Sequence, residues 1–168
     1  AVASGTAALI IPLLAAGVEA GDAVFLPAFT YNATANAAIL AGATPVFVDV
    51  RADTLNLDER LVEGAITPPT GAILLVHHAG VACEMDAIMA IADRHGLAVV
   101  EDNAHGLFGA YRGRALGTFG ALATLSFHDT KSLSCGEGGA LMINDLRHVE
   151  RAEIIREKGT NRTRFFRG

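Results

Sequence analysis

The chain has 168 residues, 51% hydrophobic and 18% charged, with a formal net charge of −5; this balance suits one globular α/β unit with a substantial core and excludes an intrinsically disordered chain. No basic run offers nucleic acid or an acidic membrane an electrostatic footprint, and Arg162, Arg164 and Arg167 near the end read as a solvated polar segment. Cys83 and Cys135 lack the paired spacing of a zinc or redox motif and suit a reducing cytoplasm, while the most apolar stretch, 7–18, is interrupted by Pro12 and Gly17 and is too short to span a bilayer.

The chain has no initiator Met and opens on AVASGTAALI, the entrance to a helix; it closes on FFRG directly behind a charged helix, so both ends suggest a piece of a longer polypeptide. Ser4 or Thr6 can cap the first helix, which runs to about Gly17 with apolar residues all round; it is expected to be buried and to kink at Pro12. Residues 23–26 follow as a short strand ended by Pro27, and 31–40 as a helix stopped by Gly42. The pattern repeats with strand 45–49, helix 58–65, strand 72–76 and helix 85–95, then strand 97–100 leading straight into Glu101 and Asp102. Two further strands, 123–127 and 140–143, flank a glycine-rich turn, and 146–157 closes as an amphipathic helix. Apolar strands without polar alternation, separated by helices, predict an α/β fold. Its mainly parallel sheet is covered by helices on both faces, with the chemistry at the carboxyl ends of the strands.

Only two lysines occur, in different settings. Lys158 follows Arg156 and Glu157 at the end of a charged helix, where a solvated cation suits the C-terminal dipole. Lys131 lies in LSFHDTKSLSCGEGGA, just beyond an apolar strand. It reads either as a polar-loop residue or as an amine held at the mouth of the sheet and freed to attack a carbonyl. Asp102 ends LAVVED, where a ligand of a parallel sheet would lie. It reads as the cap of the next turn or as a carboxylate that keeps a pyridine nitrogen protonated. His105 reads as a structural hydrogen-bonding residue or as a further member of that site.

Ser4, Gly5, Thr6 and Ala7 open the first helix, whose N-terminal N–H groups favour a phosphate, although such residues cap helices generally. Ser126 offers a further hydroxyl, and an aromatic of the 27–31 segment, Phe29 or Tyr31, can stack on a pyridine ring or pack in the core. His77 and His78 are neighbours on a strand and point to opposite faces, which argues against a shared metal ion. Glu137, between glycines, reads as a base or as a turn residue.

Taken together, SGTAAL, FTYNATANA, EDNAHG and SFHDTK followed by GEGGA resemble, in order, the motifs of the DegT/DnrJ/EryC1/StrS family of pyridoxal-phosphate-dependent sugar aminotransferases. The resemblance covers essentially the whole chain and implies an aspartate-aminotransferase-like fold (fold type I). The chain would be its cofactor-binding large domain, without the first segment and the C-terminal domain. It implies pyridoxal 5′-phosphate bound as a Schiff base on Lys131, which also moves the proton, and Asp102 on the pyridine nitrogen. Ser126, Thr6 and Ala7 would hold the phosphate, and Tyr31 would stack on the ring. His105 stands where the family usually has glutamine near the cofactor's phenolic oxygen.

VHHAGVACEMDAIM, YRGRALGT and RAEIIREKGTNRTRFFRG narrow the resemblance to the branch that forms dTDP-4-amino-4,6-dideoxygalactose. This implies glutamate as amino donor, dTDP-4-dehydro-6-deoxy-D-glucose as the nucleotide-linked keto sugar, and polysaccharide of the enterobacterial common antigen type as destination. Pro12 and His105 depart from the pattern. The family also implies a homodimer with its sites at the subunit interface, so the isolated chain is expected to be inactive. Three rivals stand beside this reading: another keto sugar as acceptor, a non-catalytic cofactor-binding remnant, and a sugar dehydratase, in which histidine replaces the lysine. A nicotinamide enzyme would need its glycines after the first strand of a βαβ unit, whereas here they follow the lysine.

Overall fold

Continuous apolar runs can form strands only where both faces are covered, and the alternate residues of each run go to different cores. A computed structural model, describing residues 1–167, shows this directly. Val24, Leu26, Leu74, Val100 and Leu122 join one apolar cluster, while Phe25, Ile73, Leu75 and Val99 join the other. The strands are β1 (Ala23–Pro27), β2 (Thr44–Val48), β3 (Thr70–Val76), β4 (Ala98–Asp102), β7 (Leu122–Ser126) and β8 (Gly139–Ile143), in the order β2-β1-β3-β4-β7-β8. Every pairing is parallel except β7 with β8, as expected of a mainly parallel sheet.

Helices α1 (Gly5–Ala16), α2 (Asn32–Leu40) and α5 (Val149–Arg156) cover one face, contributing Leu9, Leu13, Ala37, Ala38 and Ala152 to the first core. Helices α3 (Glu59–Ala65) and α4 (Met85–His95) cover the other with Val62, Met85, Ile88 and Ile91. Ser4 is the cap of α1: its Oγ accepts the Ala7 N–H at 3.1 Å, and Gly17 ends the helix at φ 96°. The helix runs through Pro12 as one element, so the expected kink does not interrupt it.

Two corrections concern the chain's second half. Segment 146–157 is not one helix: a 3-10 turn, Leu146–His148, precedes α5, because the Asp145 carboxylate accepts the Arg147 N–H at 3.0 Å and tightens the start. The arginine-bearing end is not merely a solvated segment but a short helix, α6 (Arg162–Arg167), tied to α5 by Arg164–Glu150 at 2.8 Å and Arg167–Glu153 at 3.3 Å. Such exposed pairs contribute little. A small hairpin that no apolar run announces, β5 (Ala110–Tyr111) with β6 (Arg114–Ala115), turns through Arg112 and Gly113, both at positive φ. That is the backbone a two-residue hairpin turn requires. No helix is long and apolar enough to cross a membrane among the described residues.

Candidate functional site

Parallel register brings the ends of β3, β4 and β7 level: Val76 pairs with Asp102, and Asp102 with Thr124, two residues before Ser126. The first turn of α1 lies on the same edge. A Cβ at Gly5 would stand 2.7 Å from Ser126 Cβ and 2.8 Å from its Oγ, so only glycine lets the helix start approach the serine this closely. Val2 bridges Gly139 through N–O contacts of 2.9 and 3.0 Å, anchoring that start to β8. The Ala7 N–H is already taken by Ser4 Oγ at 3.1 Å. Within this first turn, Gly5 and Thr6 are therefore the amides left to meet an anion.

Asp102 is buried at the end of β4. Its Oδ1 accepts the Ala104 N–H and its Oδ2 the Thr34 Oγ1–H, each at 3.1 Å. It thus caps the next turn and also presents a carboxylate to the sheet edge; the two sequence readings are compatible. Burial pushes the carboxyl above its ordinary value, while Ala104, Thr34 and the nearby His105 and Lys131 pull it back.

His105 is exposed, and burial of part of its ring together with the Lys131 charge lowers its pKa against the pull of Asp102. Its Nδ1 accepts the Ala79 N–H at 3.4 Å, which leaves Nε2 as the donor of the neutral ring. Lys131, half-buried, lies in the loop between β7 and β8, whose base is closed by Phe127 N–H to Gly138 O at 2.9 Å and Cys135 N–H to Phe127 O at 3.0 Å. Among the described residues its ammonium makes no hydrogen bond or ion pair, unlike most cations of this chain.

Other expected groups sit differently. Tyr31, at the N-cap of α2, is 76% exposed and its ring touches no other aromatic; Phe29 instead meets the His78 ring edge-on at 5.0 Å. Glu137 lies 3.5 Å from His128 Nε2. His77 and His78 diverge, His77 to Glu101 at 2.9 Å and His78 to the rings of Phe29 and His105. No group of three or more histidine, cysteine, aspartate or glutamate residues able to hold a metal exists among the described residues.

Two residues of the site escaped sequence reasoning. Thr34 supports Asp102 from α2 across 68 residues of sequence and is itself paired with Thr30 Oγ1 at 2.9 Å. The i, i+4 spacing of the threonines was visible, but nothing in it named the partner. Glu101 is fully buried and accepts four hydrogen bonds: from His77 Nε2, and from the amides of Gly117 (2.8 Å), Phe119 (2.7 Å) and Gly120 (2.6 Å). A charged residue inside an apolar strand was the available signal.

Burial alone would raise the Glu101 carboxyl, but His77 and these amides hold it below its ordinary value of 4.5. With the folded pKa depressed, the stability that this carboxylate adds is complete above the unfolded value and is lost as pH falls through the folded one. The melting-temperature gap between wild type and Glu101→Gln is therefore expected to be widest at neutral pH and to narrow below about pH 4.5. A gap that stays constant on acid titration would contradict this.

A mainly parallel sheet with a lysine loop, a buried aspartate and a helix start gathered at its carboxyl edge defines an α/β fold of the aspartate-aminotransferase type. The model of the DegT/DnrJ/EryC1/StrS aminotransferase family matches residues 1–168, and the chain belongs to that family. It is 42% identical, over 99% of its length, to the spore coat polysaccharide biosynthesis protein SpsC of Bacillus subtilis (strain 168), of which it spans 43%. Among solved structures it is similar to S. venezuelae DesV, with TM-score 0.88 and 45% identity over 95% of this chain and 43% of that one. It is also similar to DesI, studied in the presence of its TDP-sugar product, with TM-score 0.87 and 38% identity over 94% and 40% of the two chains. The chain thus spans under half the length of these relatives. The cofactor of the family is pyridoxal 5′-phosphate, and the residues gathered here fit it. A buried carboxylate and a lysine loop at one sheet edge suit a protonated pyridine and its aldehyde, and a glycine-tight helix start beside a serine suits a phosphate.

Proposed function

We propose that this chain is the cofactor-binding large domain of an enzyme that moves an amino group from glutamate to C4 of a nucleotide-linked keto sugar. The specific acceptor is dTDP-4-dehydro-6-deoxy-D-glucose, which makes the enzyme a dTDP-4-amino-4,6-dideoxygalactose transaminase serving a polysaccharide of the enterobacterial common antigen type. It works in the cytoplasm as a homodimer. The observation that carries the reading is the buried Asp102 carboxylate at the end of β4, on the sheet edge from which the Lys131 loop leaves β7. Similarity to a spore coat polysaccharide protein and to an enzyme studied with a TDP-sugar supports the substrate class.

When bound, pyridoxal phosphate supplies an electron sink for the carbon that gains or loses the amino group. The protein's own groups do the rest. Lys131 Nζ would hold the cofactor and would serve as the base that moves a proton at the substrate carbon. Asp102 would keep the cofactor's pyridine nitrogen protonated. The Gly5 and Thr6 amides and the Thr6 and Ser126 hydroxyls would hold the phosphate, with Ala7 beside it and its N–H kept on Ser4 Oγ. Tyr31 would lie against the cofactor ring, and His105 would offer its Nε2–H to the cofactor in place of glutamine.

Gly5→Val tests the phosphate assignment, because its side chain must displace Ser126. Weakening of cofactor affinity by about tenfold or more is expected, the effect of losing roughly 1.4 kcal/mol of contact, measured by fluorescence titration of the full polypeptide. Affinity equal to wild type would remove the helix start from the phosphate site. The function itself is tested by incubating the full polypeptide with glutamate and dTDP-4-dehydro-6-deoxy-D-glucose and identifying the product by mass spectrometry and NMR. A 4-amino sugar with the galacto configuration is expected. Its absence, with another keto sugar aminated instead, would move the substrate and keep the chemistry.

A further inference from the structure

Glu101 and His77 are both completely buried, yet none of the roles above uses them. Burying a carboxylate is costly unless every lone pair is engaged, and here a concentrated set of donors engages it. The four hydrogen bonds to Glu101 come from two separate pieces of chain, the Gly117–Gly120 turn and the segment after β3. His77 is fixed in turn. Its Nδ1 accepts the Cys83 N–H at 3.3 Å, so Nε2 carries the proton donated to Glu101. Its own main-chain N–H goes to the Asp102 carbonyl at 3.1 Å.

His77 therefore holds two consecutive residues of the strand end. The His77 ring holds the side chain of the preceding residue, and the His77 amide holds the carbonyl of Asp102 itself. Asn103, on the other side, donates from Nδ2 to the Leu116 carbonyl at 3.1 Å and so ties the strand end to the same turn region. A strand end pinned at three consecutive residues has little freedom to rotate the carboxylate that projects between them. Geometry at a reacting centre is sensitive to displacements of under 1 Å.

We propose that Glu101 and His77 are positioning residues: a buried carboxylate–imidazole pair that fixes the Asp102 carboxylate against the cofactor's pyridine nitrogen. The proposal rests on the reading of Asp102 given above. In Glu101→Gln the amide offers one acceptor oxygen where four donors converge, so its NH2 group faces N–H groups and the strand end shifts. The visible spectrum of the bound cofactor should change and kcat should fall by about 10–100-fold, with KM for the amino donor nearly unchanged, because no substrate contact is lost. His77→Leu, which removes the donor to Glu101 and the acceptor of the Cys83 N–H, should reproduce the spectral change. His77→Gln, which restores a donor towards Glu101, should recover most of the wild-type spectrum and rate.

The experiment compares the visible spectrum, cofactor affinity and half-reaction kinetics of the full polypeptide in these three variants and wild type, with melting temperatures of the cofactor-free forms. Spectral change shared by Glu101→Gln and His77→Leu and reversed in His77→Gln supports positioning. If Glu101→Gln does not fold, the contrast between His77→Leu and His77→Gln decides in the same way. Lower melting temperature with wild-type spectrum and kcat in every folded variant overturns the proposal and leaves the pair a purely structural element. Should wild type itself show no lysine-dependent visible band, the reading of the whole site fails, and this proposal with it.

Discussion

Lys131→Ala is expected to abolish the visible absorption band that pyridoxal phosphate gives with the full polypeptide, and to lower amino transfer by about 10⁴-fold or more. The size follows from the removal of two functions in one substitution. In the proposed mechanism the lysine is both the covalent tether and the base that moves a proton at the substrate carbon, and the loss of a positioned general base alone costs about 10²–10⁴-fold. Borohydride treatment gives the cleanest measurement: it should fix the cofactor to the wild-type protein, at a peptide containing Lys131, and leave the variant unlabelled. Lys158→Ala serves as the control, because that residue is exposed just past the end of α5 and far along the chain from the strand ends. Labelling of Lys158, or a persistent band in Lys131→Ala, would place the attachment elsewhere. A folded wild-type dimer with no band at all would favour the non-catalytic remnant.

The strands and helices were legible because their apolar runs are short, continuous and separated by capping residues. Ser4, Gly17, Asp58 and Gly96 stand at the helix ends where sequence rules put such residues. Less legible were elements held by polar contacts across long sequence distances. The β5–β6 hairpin has two residues a side and no apolar run, and its turn uses Arg112 at positive φ, where glycine or asparagine would have announced it. α6 carries exposed Phe165 and Phe166 among arginines, and ion pairs to α5 are its recorded ties. No periodicity marks such a helix.

The site divides the same way. Lys131, Asp102 and Ser126 could be singled out because strand ends at one sheet edge are where a parallel fold gathers its chemistry. The partners of Thr34, His77 and Glu101 could not, since each matters through a hydrogen bond that only the fold identifies, even though Glu101 stood out as a charge in an apolar strand. Tyr31 shows the converse. The sequence motif marks it, yet in this chain its ring stands 76% exposed, and its proposed cover of the cofactor depends on what occupies the space beside it.

Asp102→Asn is expected to do two opposite things. It should lower kcat by about 10³-fold, equivalent to roughly 4 kcal/mol of lost barrier reduction, because a neutral amide does not hold a proton on the pyridine nitrogen. At the same time it should raise the melting temperature of the cofactor-free protein at neutral pH. The sign follows from the direction of the shift: burial raises the Asp102 carboxyl above its ordinary 3.8, so the fold disfavours its charged form. For such a group, folding is penalised at pH values above the folded pKa and the penalty fades as pH falls through it. Asparagine removes the charge while keeping an oxygen for the Ala104 N–H and an amide for Thr34 Oγ1, so no buried partner is stranded. Each kcal/mol relieved moves the midpoint of a domain of this size by about 2–4 °C. Differential scanning calorimetry of the cofactor-free proteins at neutral and acid pH measures it, and the gain should shrink on acidification. A variant that is both inactive and less stable at neutral pH would mean that Asp102 is held as an anion by its neighbours rather than kept there, against the preference of the fold, for a cationic ligand.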